Sequence, residues 1–251
     1  RYGYSFRGGQ GVGGFLDMII YGNVGSENVA ELTSVYFLKD GKSTMWSTQG
    51  AMDAVTLYKR LYEEASPKDS IAWSFSETVQ GFVGGTTAML IQDPEVIATC
   101  TSDMEEGTWD VAPLPIGTSG EALVPTGFAG WGITSYTPNA DLAAELVLFL
   151  SNEENNTYFN EQYSLIPIHT SAAESSVFKD GPFAGYMEMN LNPDVYYPAS
   201  SPSQYQAFAE YNTSCDGWVQ KYLQGDISAE ELLKIYDDYW LQALADEGQL
   251  W

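Results

Sequence analysis

Short apolar runs of strand length alternate along this chain with amphipathic helical patterns, and glycine or proline separates one from the next. Residues 2–6 have the pattern of a strand, and residues 15–21 are an apolar stretch behind a glycine-rich loop. Apolar side chains recur at helical spacing over residues 47–65, whereas residues 88–91 form a continuous apolar run of strand length. This alternation predicts an α/β or α+β architecture.

The last third of the chain carries the clearest helix signals. One predicted helical stripe, which ends at Gly225, consists of Tyr205, Phe208, Asn212, Cys215, Val219 and Tyr222. A final helix is predicted to begin at Ser228, because Glu231 follows three residues later and completes a capping box. Ile227 and Leu232 have the spacing of the hydrophobic staple that accompanies such a box.

Three segments in the middle of the chain bear on domain organisation and on a binding site. Residues 93–95 (Asp-Pro-Glu) predict a helix start with Asp93 as the N-cap. Residues 127–134 predict a glycine-interrupted strand that leaves Trp131 exposed. Residues 111–115 are too rich in proline for a central strand, so we predict a domain crossing there.

The chain carries 34 acidic and 10 basic residues, which gives a formal net charge of -24. This charge argues against nucleic-acid binding, which needs clustered Lys and Arg, and against binding to an anionic lipid surface. No apolar run approaches the roughly 20 residues that span a bilayer as a helix. Hydrophobic residues make up 44% of the chain and aromatic residues 14%, so intrinsic disorder is not expected.

Signals for catalysis and for metal binding are sparse. His169 is the only histidine and has no second His or Cys nearby, which argues against structural zinc. No G-x-S-x-G elbow and no calcium-loop motif occurs, so we expect no catalytic residue, no metal and no cofactor. Two facing carboxylates would be enough for a glycoside hydrolase, and that alternative stays open. Cys100 and Cys215 fit either a disulfide or two buried thiols.

The aromatic content is the best clue to a ligand. Sugar rings present apolar C–H faces and a belt of hydroxyls, so sugar sites combine stacking aromatic rings with planar polar groups. Trp73, Trp131, Tyr205 and Tyr211 lie near loops or helix starts and are the candidate rings.

The glycine-rich residues 8–14 allow two interpretations. They form either a tight turn before a helix or a backbone that a small ligand can approach closely. In the second interpretation, Arg7 and Gln10 would supply directional hydrogen bonds to the ligand.

Five blocks, in order along the chain, resemble one protein family. They are residues 77–89 (ETVQGFVGGTTAM), residues 111–117 with 127–133 (VAPLPIG and GFAGWGI), residues 141–151 (DLAAELVLFLS), residues 166–172 (IPIHTSA) and residues 223–231 (LQGDISAEE). They are similar to blocks of the extracellular sugar-binding proteins of bacterial ABC transporters (solute-binding protein family 1, the maltose-binding-protein-like class). The resemblance spans nearly the whole chain.

The resemblance implies an α/β fold of the periplasmic-binding-protein-like type II, in which two lobes joined by three crossings close on the ligand. Only the last two crossings are recognisable, which implies that the N-terminal half of the first lobe, its lipoprotein signal and the signal's cysteine are missing. Residues 1–112 with 177–251 would then form the second lobe, and residues 113–176 would be the returning, incomplete part of the first.

The resemblance also implies where a ligand would bind. In relatives the loop after the first strand faces the cleft, which implicates Arg7 and Gln10, and so does the end of the strand over residues 88–91. The predicted ligand-binding residues are Arg7, Gln10, Trp73, Gln92, Asp93, Glu95, Trp131 and Tyr211. Many relatives have Gly and Trp after the second of these strands, whereas this chain has acidic residues that could accept hydrogen bonds from sugar hydroxyls.

The predicted function is that of a non-catalytic receptor that captures a sugar, oligosaccharide or sugar alcohol outside the cytoplasm and delivers it to an ABC permease. The full-length protein is expected to be a monomer, and the anchor of the periplasmic or cell-surface lipoprotein is expected to be lost with the N-terminus. Because half of the cleft would be missing, we expect this chain to bind sugar weakly or not at all. The alternatives are a glycoside hydrolase and the same fold binding a cationic solute such as a polyamine.

Overall fold

The structure is a computed structural model that describes residues 1–30, 35–127, 130–172, 175–199 and 202–246. Contacts within the chain define two compact units. Unit 1 comprises Arg1–Ile91, Leu114–Thr126 and Asn192–Trp251, and unit 2 comprises Gln92–Pro113 and Gly127–Leu191. Each unit is therefore built from separate stretches of the chain.

Helices make up most of the described structure. In chain order they are α1 (Val12–Val24), α2 (Gln49–Ala65), α3 (Phe75–Val83), α4 (Val96–Asp103), α5 (Ala140–Ser151), α6 (Glu153–Tyr163), α7 (Ser176–Lys179), α8 (Ala184–Leu191), α9 (Phe208–Gln224) and α10 (Ala229–Asp246). Short 3-10 helices cover Met45–Ser47 and Lys68–Ala72. None of the helices in the described ranges is long and apolar enough to cross a membrane.

Two small parallel sheets lie in unit 1. Strand β1 (Tyr2–Tyr4) pairs with β2 (Thr87–Met89), and β3 (Ala122–Pro125) pairs with β4 (Tyr196–Ala199). Parallel pairing needs a long crossover between the strands, which the intervening helices supply. The mixture of helices and parallel strands agrees with the predicted α/β class.

The core of unit 1 is dominated by aromatic rings. Helix α1 packs against α2, α9 and β3, and α10 closes over the short helix Met45–Ser47. At the centre, the Trp46 ring stacks on Tyr236 with 5.1 Å between centroids and lies nearly parallel to Trp240. The aromatic excess of the sequence is therefore used largely for packing in this unit.

Unit 2 has a small buried cluster formed by Ile97, Phe178 and Phe183. All of α5 is described, and none of its residues is buried. Its Leu142, Leu146, Leu148 and Phe149 side chains are all more than half exposed. An apolar helix with four large apolar side chains exposed distinguishes this unit from unit 1.

The predicted capping box of the last helix is confirmed. The Ser228 N–H donates to Glu231 Oε2 at 2.7 Å, and the Glu231 N–H donates to Ser228 Oγ at 3.1 Å. Gly225 ends α9 in the left-handed conformation, with φ at 86°. The predicted stripe needs two corrections. Tyr205 precedes α9, which begins at Phe208, and Tyr211 is buried whereas Asn212 is exposed.

Two predictions from the middle of the chain were wrong. Helix α4 begins at Val96 with Glu95 at its N-cap, and no side chain caps it, so Asp93 is not the cap. Residues 130–134 have no strand pairing, although Trp131 is exposed as expected; residues 128 and 129 lie outside the described residues. The glycine-rich sequence alone does not show whether such a segment pairs with another strand.

The two units do not follow the predicted lobe boundaries at residues 112 and 176. The Glu121 carboxylate accepts hydrogen bonds from the Ser26 N–H and hydroxyl at 2.8 and 2.7 Å, which ties Leu114–Thr126 to the turn after α1 in unit 1. In unit 2, the Tyr186 hydroxyl donates to the Gln92 carbonyl at 2.9 Å. These are long-range contacts within each unit, and a single sequence does not reveal them. The correspondence between these units and the family's lobes stays a prediction.

Candidate functional site

The loop after β1 is held tightly against the segment that precedes α3. The Gly8 N–H donates to the Ser70 carbonyl at 3.0 Å, and the Gly9 N–H donates to the Trp73 carbonyl at 2.8 Å. A Cβ atom at Gly8 would lie 2.5 Å from the Ile71 Cα. Only glycine allows this approach, so the loop brings Arg7, Gln10 and Trp73 into one region of unit 1.

Arg7 is half-buried and carries a guanidinium with spare donors. Its Nε donates to the Gln10 carbonyl at 2.6 Å, and its Cζ lies 5.7 Å from the centroid of the Phe15 ring. No carboxylate within the described ranges forms an ion pair with it. The two terminal nitrogens of Arg7 are therefore available to a polar ligand such as a hydroxyl.

Trp73 lies beside this loop with a partly exposed ring. The six-membered ring contacts Gly81, where an added Cβ would come within 2.6 Å of Trp73 Cζ3, and the indole N–H donates to Asp69 Oδ2 at 3.3 Å. The next residue, Ser74, forms a capping box with Glu77 that fixes the start of α3, and Ser74 Oγ accepts from the Gln10 N–H. The ring is thus held in place.

The backbone donors of the glycine-rich loop already have a partner. Asp216 on α9 accepts from the Gly11 N–H at 2.8 Å and from the Gly13 N–H at 2.9 Å. This carboxylate satisfies the exposed donors at the N-terminus of α1. Of the two interpretations of residues 8–14, the tight turn before a helix fits these contacts, and ligand binding at this loop would fall to side chains.

Sequence reasoning missed Asp216 and its neighbour Gln220, whose amide donates to the Gly8 carbonyl at 2.8 Å. Both lie on α9, some 200 residues from the loop that they support. A pattern search along the chain has no signal for such a contact, because the two segments meet only in the folded unit.

Tyr211 is a correction to the predicted ligand contacts. Its side chain is 2% exposed, and its hydroxyl donates to Asp17 Oδ2 at 2.5 Å inside the aromatic core. The centroids of the Tyr211 and Trp240 rings are 5.1 Å apart. No face of the Tyr211 ring is open to a ligand in this structure. Tyr205, the other candidate ring at this helix start, is also buried.

Asp17 is a buried carboxyl surrounded by aromatic rings. Burial raises the pKa of Asp17 to about 7, against the hydrogen bonds from Tyr211 and Tyr36 that favour the charged form. The Tyr36 hydroxyl donates to the same oxygen, Oδ2, at 3.0 Å, whereas Oδ1 has no hydrogen-bond partner in the described part of the chain. Asp17 is only 4% exposed, so we assign it a structural role in the core.

The remaining predicted ligand residues lie in unit 2. Gln92 is partly buried and its side-chain oxygen accepts from the Asp93 N–H at 3.4 Å, whereas the side chains of Asp93 and Glu95 are exposed just before α4. Trp131 is 56% exposed and makes an edge-to-face contact with Phe159. Arg7, Gln10 and Trp73 are thus brought together in unit 1, while these four residues belong to unit 2.

No cluster of candidate metal ligands occurs among the described residues. The ring of His169 is placed by a contact between its Nε2 and the Ser151 carbonyl at 2.8 Å. Cys100 and Cys215 are both free thiols in the structure, at 3% and 4% exposure, and burial raises the pKa of each. Of the two possibilities for the cysteines, the structure has the buried thiols.

The profile of a family described as bacterial extracellular solute-binding protein matches residues 20–184, more than half of the chain. The chain belongs to this family. The resemblance stated from the sequence blocks is thereby confirmed.

Other solute-binding proteins support this assignment. The maltodextrin-binding protein MdxE of Bacillus subtilis is 27% identical over 135 residues, which are 52% of this chain and 31% of that protein. The structure of maltose-bound MalE3 from T. maritima matches with a TM-score of 0.76 at 18% identity, and the match covers 97% of this chain and 60% of that one. An ABC transporter solute-binding protein from Thermotoga lettingae, bound with alpha-D-tagatose, matches with a TM-score of 0.71 at 18% identity.

These matches confirm the predicted fold and show how much of it this chain contains. The match to the Thermotoga lettingae protein covers 97% of this chain and 59% of that one, close to the figures for MalE3. This solute-binding protein therefore spans about 60% of the length of the solved structures whose fold it shares, and about a third of the curated relative.

Proposed function

We propose that this chain is part of the substrate-binding component of a bacterial ABC importer, which captures a sugar, oligosaccharide or sugar alcohol outside the cytoplasm and delivers it to the permease. The family is extracellular, and relatives with this fold were solved with maltose and tagatose. The proposal includes no catalytic role. It assigns affinity to stacking and to hydrogen bonds with hydroxyl groups.

The observation that carries the proposal is the group formed by Arg7, Gln10 and Trp73 in unit 1. A partly exposed indole, a guanidinium with free donors and an exposed amide lie along one loop and the segment beside it. An aromatic face can stack on the apolar face of a sugar ring, while the guanidinium and the amide bind its hydroxyls.

The proposal keeps Gln92, Asp93, Glu95 and Trp131 of unit 2 as further ligand contacts and omits Tyr211. Asp93 and Glu95 offer carboxylate oxygens that accept hydrogen bonds from hydroxyl groups. Trp131 offers an exposed ring. Tyr211 has no exposed ring face, so we assign it to the core.

The experiment that tests this function compares two forms of the protein by calorimetric titration with a panel of sugars and polyols. One form is this 251-residue chain, and the other is the longer product that we expect its gene to encode. We expect the longer form to bind one panel member with a Kd of about 1 μM, and this chain to bind the same compound at least about 100-fold more weakly, because fewer side chains reach the ligand.

Substitutions in the longer form identify the site. We expect Trp73→Ala and Arg7→Gln each to weaken binding at least about tenfold, because each removes a central contact. The matched control is Arg60→Gln, since Arg60 is an exposed arginine of unit 1 that pairs with Glu64 on α2. Binding of spermidine but of no sugar, or release of reducing sugar from chromogenic glycosides, would contradict the proposal and favour one of the two alternatives.

A further inference from the structure

Arg7 is fixed in place by contacts on several sides. Its Nε donates to the Gln10 carbonyl at 2.6 Å, and its Cζ lies 5.7 Å from the centroid of the Phe15 ring and 6.0 Å from that of the Phe75 ring. A guanidinium at such distances from aromatic rings is attracted to them. These contacts hold the side chain and leave its two terminal nitrogens as a pair of donors with a defined position.

The carboxylates that lie beside this arginine's loop are bound to other groups. Asp216 accepts from two backbone N–H groups of the glycine-rich loop, and Glu77 accepts from the N-cap N–H of α3 at 2.9 Å. Asp69 accepts from the Trp73 indole N–H. No ion pair of Arg7 occurs within the described ranges, so its positive charge has no counterion there. A half-buried charge without a counterion is a place where an anionic group of a ligand binds favourably.

The backbone of residues 8–13 has no free donor for a phosphate group. Each of its N–H groups already has an acceptor: two donate to carbonyl groups of the segment before α3, one to Ser74 Oγ, two to Asp216 and one to a carbonyl within the loop. Phosphate sites in proteins typically use several such N–H groups. A single arginine balances one negative charge, so a carboxylate suits this site and a phosphate does not.

Trp73 and Gln10 indicate that the carboxylate belongs to a sugar. The Trp73 ring is partly exposed beside the loop, and the Gln10 side chain is exposed. A sugar ring stacks on an indole, and an amide binds hydroxyl groups. A carboxylate binds the paired N–H donors of a guanidinium in a bidentate manner, with hydrogen bonds about twice as strong as those of a neutral acceptor.

We propose that Arg7, with Gln10 and Trp73, selects an acidic sugar, whose carboxylate pairs with the two terminal nitrogens of Arg7. The inference rests on the proposed function and narrows its substrate class from sugars and polyols in general to uronic acids and saccharides that end in one. A neutral sugar at the same site would take water away from the guanidinium and give it no counterion, which weakens binding.

The net charge of -24 does not exclude such a ligand. Charges separated by more than about 8 Å are largely screened at physiological ionic strength. Distant acidic residues therefore affect the rate of encounter more than the strength of the pair that forms. The direct contacts of Arg7 decide whether the carboxylate binds.

Nuclear magnetic resonance titration of the 251-residue chain tests the proposal. The probes are D-glucuronate, its neutral methyl ester and D-glucose, together with the same three forms in the galacturonate series. The signals followed are the Trp73 indole N–H and the Arg7 Nε–H. We expect one uronate to bind with a Kd of about 1 mM, at least about tenfold more tightly than its ester and its neutral sugar. The ester is the matched control, because it keeps the shape of the acid and removes the charge.

Variants identify the residue responsible. Arg7→Gln should lower the affinity for the uronate to that for its ester, and Arg7→Lys should lose part of the preference, because lysine keeps the charge without the paired donors. Arg60→Gln, at an exposed arginine that pairs with Glu64, should keep the full preference. A preference that survives Arg7→Gln would overturn the proposal, because another cation would then bind the carboxylate.

The remaining outcomes separate this inference from the proposed function. Equal affinities for a uronate, its ester and the neutral sugar, with shifts of the Trp73 signal, would overturn the inference and leave the proposed function in place. Acetate that binds at Arg7 as tightly as the uronate would also overturn the inference, since the site would then recognise a carboxylate without a sugar. No shift of either signal with any of these compounds would overturn both.

Discussion

Unit 1 and unit 2 use similar residues in opposite ways. In unit 1 many large aromatic side chains are buried, and Trp46, Tyr236 and Trp240 pack against one another at the centre of the core. In unit 2, Phe149, Tyr163 and other large apolar side chains are exposed, whereas Ile97, Phe178 and Phe183 form a small cluster. Apolar side chains therefore form a large buried core in unit 1, whereas in unit 2 many of them stay exposed.

This difference between the units shows that a helix can have its expected capping hydrogen bonds without being part of a buried core. Helix α10 in unit 1 has a capping box at Ser228, and helix α6 in unit 2 has Asn152, whose side chain accepts from the Asn155 N–H at 2.9 Å. Both helices therefore begin with a side chain that accepts a hydrogen bond from a backbone N–H of the first turn. They differ in packing, because α10 buries apolar side chains in the core of unit 1, whereas α6 leaves a ring such as Tyr163 exposed.

The largest predicted effect is on stability, and it contrasts a buried residue of unit 1 with an exposed residue of unit 2. Trp240 is fully buried among aromatic rings, so Trp240→Ala should lower the free energy of unfolding by about 3–5 kcal/mol, because it leaves a large cavity. Leu146→Ala on α5 should change that free energy by less than about 0.5 kcal/mol, since the side chain already contacts solvent. Urea denaturation followed by near-ultraviolet circular dichroism measures both. Similar losses for the two variants would contradict the contrast between the units.

The second prediction concerns pH and the buried carboxyl of unit 1. The folded state raises the pKa of Asp17 from its ordinary value of 3.8 to about 7, so between these values the folded chain keeps a proton that the unfolded chain releases. The contribution of Asp17 to stability is thus fully present below about pH 4. It falls by about 1.4 kcal/mol per pH unit as the pH rises, until the folded pKa is passed.

The variant Asp17→Asn isolates this effect, because an amide of similar shape does not titrate. The measurement is the free energy of unfolding of both proteins at intervals from pH 4 to pH 8. We expect the stability of the wild type relative to the variant to decrease with pH and to become constant above about pH 7. Parallel curves over the whole range would show that Asp17 does not bind a proton more tightly in the folded state.

The smallest predicted effects are those of the helix caps, and they should be alike in the two units. Ser228→Ala and Asn152→Ala should each destabilise the attached helix by about 1 kcal/mol, because each leaves one backbone N–H without its side-chain acceptor. Hydrogen exchange of the first turns of α10 and α6 measures the local change. Ser228→Thr and Asn152→Asp, which keep an acceptor oxygen, serve as controls and should retain most of the protection.

Much of the fold of unit 1 could be predicted from the sequence, because its signals are local. The capping box at Ser228, the left-handed Gly225 and the helix that ends before Pro67 depend on residues within a few positions of one another. The pairing of β3 with β4 could not be predicted, since residues 122 and 196 meet only through tertiary packing. The same reason explains the shift from Asn212 to Tyr211 on the buried face of α9.

The candidate site was predicted in part. The loop with Arg7 and Gln10 and the nearby Trp73 do lie together, and glycine at position 8 explains why the backbones approach so closely. Tyr211 is predicted as a ligand contact because it is an aromatic residue near a helix start, and because the resemblance places it on the helix that brings an aromatic ring to the cleft. Its hydrogen bond to Asp17, which lies 194 positions away, decides for the core and has no signature in the sequence.

The central claim is that unit 1 has a large buried aromatic core, whereas α5 in unit 2 leaves large apolar side chains exposed. Hydrogen–deuterium exchange of the 251-residue chain tests this claim most directly. The account predicts slow exchange of the backbone amides of α10 and fast exchange of those of α5. Equally slow exchange of the two helices would contradict it.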